Sequence, residues 1–207
     1  MSINKPDNSK SRERFCSLLR ATGRENIEYV IEDLDRWGFF EAPASSQGHH
    51  AFPGGLLDHS LNVYDAAMAT REAMIAMRPD LKDDLKPESI AIAALLHDVC
   101  KADFYQLVKK KRRNEIGIYE EIETYEIHDE NFPVGHGEKS VILLLQSGLD
   151  LNDDEIYAIR WHMGPWNLNR DDERFYRQAG KITPLQTLIH TADTLASGII
   201  ERPGKII

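Results

Sequence analysis

Residues 86–101 read KPESIAIAALLHDVCK. Pro87 suits the first turn of a helix, and from Ile90 to Leu96 the apolar side chains fall on nearly every face. A helix apolar all round belongs at the centre of a fold, so the stretch predicts the middle of an all-α domain. His97 and Asp98 close it. An ionised carboxylate there is very costly unless a cation or strong donors compensate it. A metal ion would compensate both residues at once. The bland alternative is a helix end that reaches the surface, satisfied by a His–Asp hydrogen bond.

The flanking sequence is helical on both sides of this centre. SRERFCSLLRATG (11–23) and RENIEYVIEDLDRWGFF (24–40) carry helical periodicity with a glycine between them, and residues 1–10 are expected to be disordered. Residues 41–55, EAPASSQGHHAFPGG, form a loop. In GGLLDHSLNVYDAA (54–67) His59 sits among Leu56, Leu57, Leu61, Val63 and Tyr64 on a helix that runs to about Met77. GEKSVILLLQSG, NDDEIYAIRWHM and TPLQTLIHTADTLASGII read as further helices. Residues 106–127 differ in kind, with β-branched and aromatic residues around a polar turn, and predict a short β-hairpin inserted in the helical bundle. One domain over 11–207 is expected.

The chain has 207 residues, 42% hydrophobic and 29% charged, which is enough to bury a sizeable core. No apolar run approaches a membrane span, the first residues hold no secretory h-region, and Cys16 and Cys100 form no paired motif. A cytoplasmic, reduced protein is expected. The net charge of −9 argues against a surface built wholly for duplex nucleic acid. It leaves room for a local track. Lys109, Lys110, Lys111, Arg112 and Arg113 are the one dense basic run, either a phosphate track or a solvated hairpin tip.

Among the eight histidines, His59, His97, His136 and His162 fall at helix faces or ends, one per helix. Asp193 follows Leu185 and Ile189 in an apolar stripe, so a second carboxylate points at a core. Helices far apart in sequence can bring such groups to one site. Mixed imidazole and carboxylate ligation suits Mn, Fe, Co, Zn or Mg, and the lack of usable cysteines disfavours a structural zinc site.

In their order, His59, His97-Asp98 and Asp193 resemble the signature of the HD-domain metal-dependent phosphohydrolases. HHAFPGGLLDHSLNVY, LLHDVCK and GHGEKS are most similar to the HD domain of YhaM-type bacterial 3′-to-5′ exoribonucleases, over roughly residues 40–200. The resemblance implies an HD-domain helical bundle in which His59, His97, Asp98 and Asp193 hold one divalent ion. Asp98 would bridge to a second ion held by His136 and His162. Lys101 matches the family's lysine that faces the substrate phosphate, so Asp98 and Lys101 are the expected catalytic residues. Two cations about 3.5–4 Å apart activate a water and stabilise charge on phosphoryl oxygens, and a fixed lysine adds to this.

Three departures stand out. The residues before the first ligand helix cannot supply the OB-fold of exonuclease relatives. Cys100 stands where the family usually has glycine, and Met163 where many relatives have a second histidine. The GYP element of cyclic-di-GMP phosphodiesterases does not occur in HMGPWNLNRDD. Around the expected site, His49 and His50 either contact substrate phosphate, support the ligands from behind, or line a plain surface loop. His190 either orients Asp193 or faces solvent, as His128 is expected to do. Trp161 and Trp166 either stack a base or pack in the core.

The expected function is hydrolysis of a phosphate ester in a nucleotide or short single-stranded nucleic acid, with exonuclease-like diester cleavage preferred. A nucleotide phosphomonoesterase is the rival within that class. A non-catalytic metal- and nucleotide-binding regulatory module is the rival outside it. Neither the physiological metal nor the oligomeric state is set by the sequence.

Overall fold

The computed structural model describes residues 7–46, 50–113, 117–128, 132–166 and 168–202. Among them are eight α-helices, α1 (Ser9–Ala21), α2 (Ile27–Arg36), α3 (Gly55–Met77), α4 (Pro87–Leu96), α5 (His136–Gln146), α6 (Asp153–Arg160), α7 (Arg170–Ile182) and α8 (Pro184–Leu195). One antiparallel hairpin, β1 (Tyr105–Arg113) and β2 (Tyr119–Ile127), interrupts them. The described residues are mainly helical, with one small inserted hairpin.

Every residue of α4 from Ser89 to Leu96 is buried, which is why its sequence lacks a polar face. It packs against α1, α3, α6 and α8. Helix α4 stops at Leu96 rather than running on to Lys101. His97 is its C-cap, Asp98 leaves helical geometry at φ −107°, and a 3₁₀ turn over Val99–Lys101 follows. Beyond the break His97 packs against His59 and His162, and Asp98 meets His136 at the start of α5.

Helix α1 begins at Ser9, within the stretch expected to lack structure, and Asn8 donates from its side chain to the carbonyl of Phe40 at 2.8 Å. The N-terminal pair α1 and α2 closes one end of the core through Phe15, Phe39 and Phe40, whose rings meet at 5.2–5.8 Å. Helix α6 starts with a full capping box between Asn152 and Glu155. Helix α7 is the element that the sequence did not disclose. Ala179 is its one buried residue, and its apolar stripe, Phe175, Tyr176, Ala179 and Ile182, is short and set among charged residues. Its signals are the Asn169 cap, accepting from the backbone N–H of Asp171 and Asp172 at 3.0 Å, and an acidic first turn.

After α8 the chain continues as a π turn over Ala196–Ile200, closed by the Glu201 N–H on the Ala196 carbonyl at 2.9 Å. A π turn is the α register with one residue inserted. Glu201, eight residues after Asp193, therefore takes the place an i+7 residue would hold, on the Asp193 face.

Candidate metal centre

Five helices and the turn after α4 deliver the candidate ligands. His59 comes from the second turn of α3, His97 and Asp98 from the end of α4, His136 from the first residue of α5, His162 from the turn after α6, and Asp193 from α8. His59, His97, Asp98 and His162 are essentially buried, at 0–2% exposure. Asp98 lies at the middle. Its Oδ1 is 2.8 Å from His136 Nε2 and 3.2 Å from His162 Nε2; its Oδ2 is 3.3 Å from His97 Nε2, 3.7 Å from His59 Nε2 and 2.6 Å from Lys101 Nζ. Asp193 reaches His59 Nε2 at 3.3 Å.

Three overlapping groups, His59–His97–Asp98, His97–His162–Asp193 and Asp98–His136–His162, each bring their ligand atoms within 4.8 Å of one another. The set expected from the sequence is thus brought together whole. The chemistry of its donors fits a cation. His97 Nδ1 donates to the Ala94 carbonyl at 2.8 Å and His162 Nδ1 to the Ile159 carbonyl at 2.7 Å. In the neutral ring that metal ligation requires, the proton is committed there and each Nε2 presents a lone pair. Both Nε2 atoms are buried with no hydrogen-bond partner among the described residues, and both face Asp98. Lone pairs aimed at a buried carboxylate repel it unless positive charge lies between them. A divalent ion held by these nitrogens and oxygens removes that conflict.

The electrostatics of the protein alone point the same way. Burial disfavours the Asp98 carboxylate, yet Lys101 and the surrounding histidines hold its pKa well below the usual carboxylate range. Asp193 is likewise held low by His59 against the effect of burial. Burial would lower His59, but hydrogen bonds with Asp193 and Glu201 raise it to about 9. His136 is raised to about 9 by Asp98 and Cys100, again against burial. Lys101 stays firmly protonated because the attraction of Asp98 exceeds the cost of its burial.

The histidines around the site divide between expected and unexpected places. His190 does not orient Asp193: its Nδ1 donates to the His162 carbonyl at 2.7 Å, behind the other candidate ligand. His50, at φ 50°, stacks on Phe52 and places Nε2 3.4 Å from the amide nitrogen of Asn62. Asn62 in turn donates to Glu201 at 3.1 Å, and Glu201 accepts from His59 Nδ1 at 2.9 Å. His50 thus stands at the back of His59, not on an open substrate face. His49 lies outside the described residues, and His128 is exposed.

Glu201 is the carboxylate that sequence reasoning missed. It is buried against His59 and fixes that ring with Nε2 forward, as outer carboxylates do for metal-bound histidines. Cys100 is buried with Sγ 3.3 Å from both ring nitrogens of His136. The family's usual glycine would leave that contact empty. Trp161 is buried at 6% exposure beneath the Arg160 guanidinium, 3.8 Å from its ring centre, whereas Trp166 is 74% exposed. The two tryptophans therefore part company, one to the core and one to the surface.

The basic run is matched, not free. Lys109, Lys111 and Arg112 pair in register with Glu123, Glu121 and Glu120 of β2, and Lys109 and Lys110 form ion pairs with Glu121 and Glu126. Among the described residues no helix is long and apolar enough to cross a membrane.

No curated protein and no solved structure matches the chain. A protein-family model does, that of the HD domain, over residues 56–198. This span runs from the residues just before His59 to just past Asp193 and holds all six candidate ligands. HD domains are typically metal-dependent hydrolases, and the chain belongs to the HD domain family.

Proposed function

We propose that the protein is a two-metal phosphohydrolase that cleaves a phosphate ester of a nucleotide or short nucleic acid, with diester substrates preferred. One observation carries the reading: two buried imidazole Nε2 atoms, on His97 and His162, neither with a hydrogen-bond partner among the described residues, converge on opposite oxygens of one carboxylate, Asp98. His59, His97, Asp98 and Asp193 would hold one ion, and Asp98, His136 and His162 the other. Bound there, divalent ions supply Lewis acidity and an activated water.

The chain's own residues do the rest. The carbonyls of Ala94 and Ile159 and the Glu201 carboxylate fix three imidazoles before any ligand arrives, so no reorientation is needed at the moment of reaction. Lys101, tethered at 2.6 Å to Asp98, keeps a permanent positive charge at the site, where a phosphoryl group gains negative charge. The buried walls around Asp98 lower the local dielectric and strengthen that attraction. Mn-loaded protein should hydrolyse bis-p-nitrophenyl phosphate, and Lys101→Ala should lower the rate about 10²-fold or more. Turnover unaffected by Asp98→Ala would refute the reading.

A further inference from the structure

Helix α7 carries Arg170, Arg174, Arg177 and Lys181, all exposed. At 100° per residue these four fall within about 60° of one another, a single cationic ridge along the outer face. On a chain of net charge −9 such a ridge is out of character. Glu173 holds Arg177 at 2.6 Å and Asp171 lies 3.7 Å from Arg174, but no ion pair engages Arg170 or Lys181 among the described residues. In the hairpin, Lys109 and Lys110 are likewise ion-paired, and glutamates stand opposite Lys109, Lys111 and Arg112 in the strand register.

The ridge does not stand alone. A groove among its side chains meets, at Gln178, a cleft between α6 and α7 lined by Tyr157, Trp161, Asp172 and Phe175. That cleft shares Arg160, Trp161 and Asp172 with a third concavity of about 350 Å³, which opens on His136 between Gly135, Met163 and Trp166. Shared lining residues thus link three neighbouring concavities from the cations of α7 to a candidate metal ligand, with Glu173, Asp172 and Glu138 among the cations. Two aromatic rings stand out along it, Phe175 at 48% and Trp166 at 74% exposure. Arg174 lies over the Phe175 ring at 4.8 Å.

Cations that track a backbone, interleaved with exposed rings on which bases stack, are the means by which proteins hold single strands. From this we infer that the α7 ridge and the α6–α7 cleft bind a single-stranded nucleic acid and lead its end to the metal centre. Arg170, Arg174, Arg177 and Lys181 contact phosphates, and Phe175 and Trp166 stack bases. The inference rests on the phosphohydrolase reading, whose site would receive the strand.

The test is fluorescence anisotropy with a fluorescein-labelled oligothymidylate, on the full chain loaded with Ca²⁺, across a range of salt. Arg170→Gln, Arg174→Gln, Arg177→Gln and Lys181→Gln combined should weaken binding and flatten the slope of log K against log salt by about two units or more, at about 0.7 per phosphate contact. Trp166→Ala and Phe175→Ala should each weaken binding about tenfold with the salt slope kept, because stacking releases no counterions. This second pair keeps the test sharp if the fourfold variant folds poorly. The hairpin variant Lys109→Gln, Lys111→Gln, Arg112→Gln should bind like the parent protein. A flattened slope in the hairpin variant with none in the α7 variant would overturn the inference. So would a parent protein that binds no oligothymidylate while the Mn-loaded form hydrolyses bis-p-nitrophenyl phosphate, a result that leaves the hydrolytic centre standing. Binding as expected without hydrolysis of any phosphodiester would support the α7 surface and count against the hydrolytic reading alone.

Discussion

Asp98 Oδ1 lies 3.2 Å from Nε2 of His162, while Nδ1 of the same ring donates to the Ile159 carbonyl at 2.7 Å. In the neutral ring a lone pair and a buried carboxylate oxygen then face each other across that gap, and a cation between them balances both. Among the described residues Asp98 is the one carboxylate whose two oxygens meet candidate ligands on both sides, His97 and His59 through Oδ2, His136 and His162 through Oδ1. Asp98→Ala should therefore abolish turnover and lower occupancy of both ions. His128→Ala, at an exposed position, should alter neither. His136→Ala and His162→Ala should weaken mainly one ion, leaving His59, His97 and Asp193 for the other. Elemental analysis of the variants after equal loading and desalting distinguishes these patterns.

Proton release gives a second check. In the metal-free protein His59 and His136 are raised to about 9, above an unfolded value of about 6.5. A raised folded pKa stabilises the protonated form, so this contribution is fully present below about pH 6.5 and is lost as pH rises through about 9. Metal needs both rings neutral. Binding at pH 7.5 should expel up to about two protons, and the rise in Tm on adding metal should grow from pH 6.5 to 9. Calorimetric titration in two buffers of different ionisation enthalpy counts the protons. No release would contradict protonated ligands in the metal-free state.

Glu201→Gln removes the charge behind His59 while keeping the side chain's size. Loss of such an outer partner typically costs 10–100-fold in metal affinity, and the ion nearest His59 should suffer first. A competition titration with a chromophoric chelator reads the change.

Packing sets the spacing between the two histidines at the other end of the site. A Cβ on Gly137 would strike the backbone carbonyl of Arg160, two residues before His162. Gly137→Ala should force α5 and α6 apart, costing about 1–3 kcal/mol of stability, and should loosen the ion shared by His136 and His162. The denaturation midpoint and metal content of that one variant test both effects.

How far the sequence disclosed these features follows from the kind of signal each carries. Helix α4 was legible because a run apolar on all faces has one physical home, and its His-Asp end was legible because a carboxylate there needs compensation. The six candidate ligands followed from placement on separate apolar faces and from the family resemblance. Helix α7 was hidden because its apolar stripe, Phe175, Tyr176, Ala179 and Ile182, is short, lies among charged residues and buries only one alanine. Glu201 was hidden because only the π turn puts it in register with Asp193. The partners of His50 and His190 depend on loop and turn geometry that no periodicity reports. The basic run was plain in sequence, but the glutamates opposite it acquire meaning only from the strand register.

The central claim, that the buried His/Asp cluster around Asp98 is a two-ion site, is tested most directly by stoichiometry. Protein stripped with chelator, dialysed and titrated with Mn²⁺ should bind close to two ions per chain, counted by electron paramagnetic resonance of the free ion and checked by elemental analysis. Asp98→Ala should hold far less under the same conditions. Saturation near zero in the parent protein, or the same stoichiometry in parent and variant, would contradict the account.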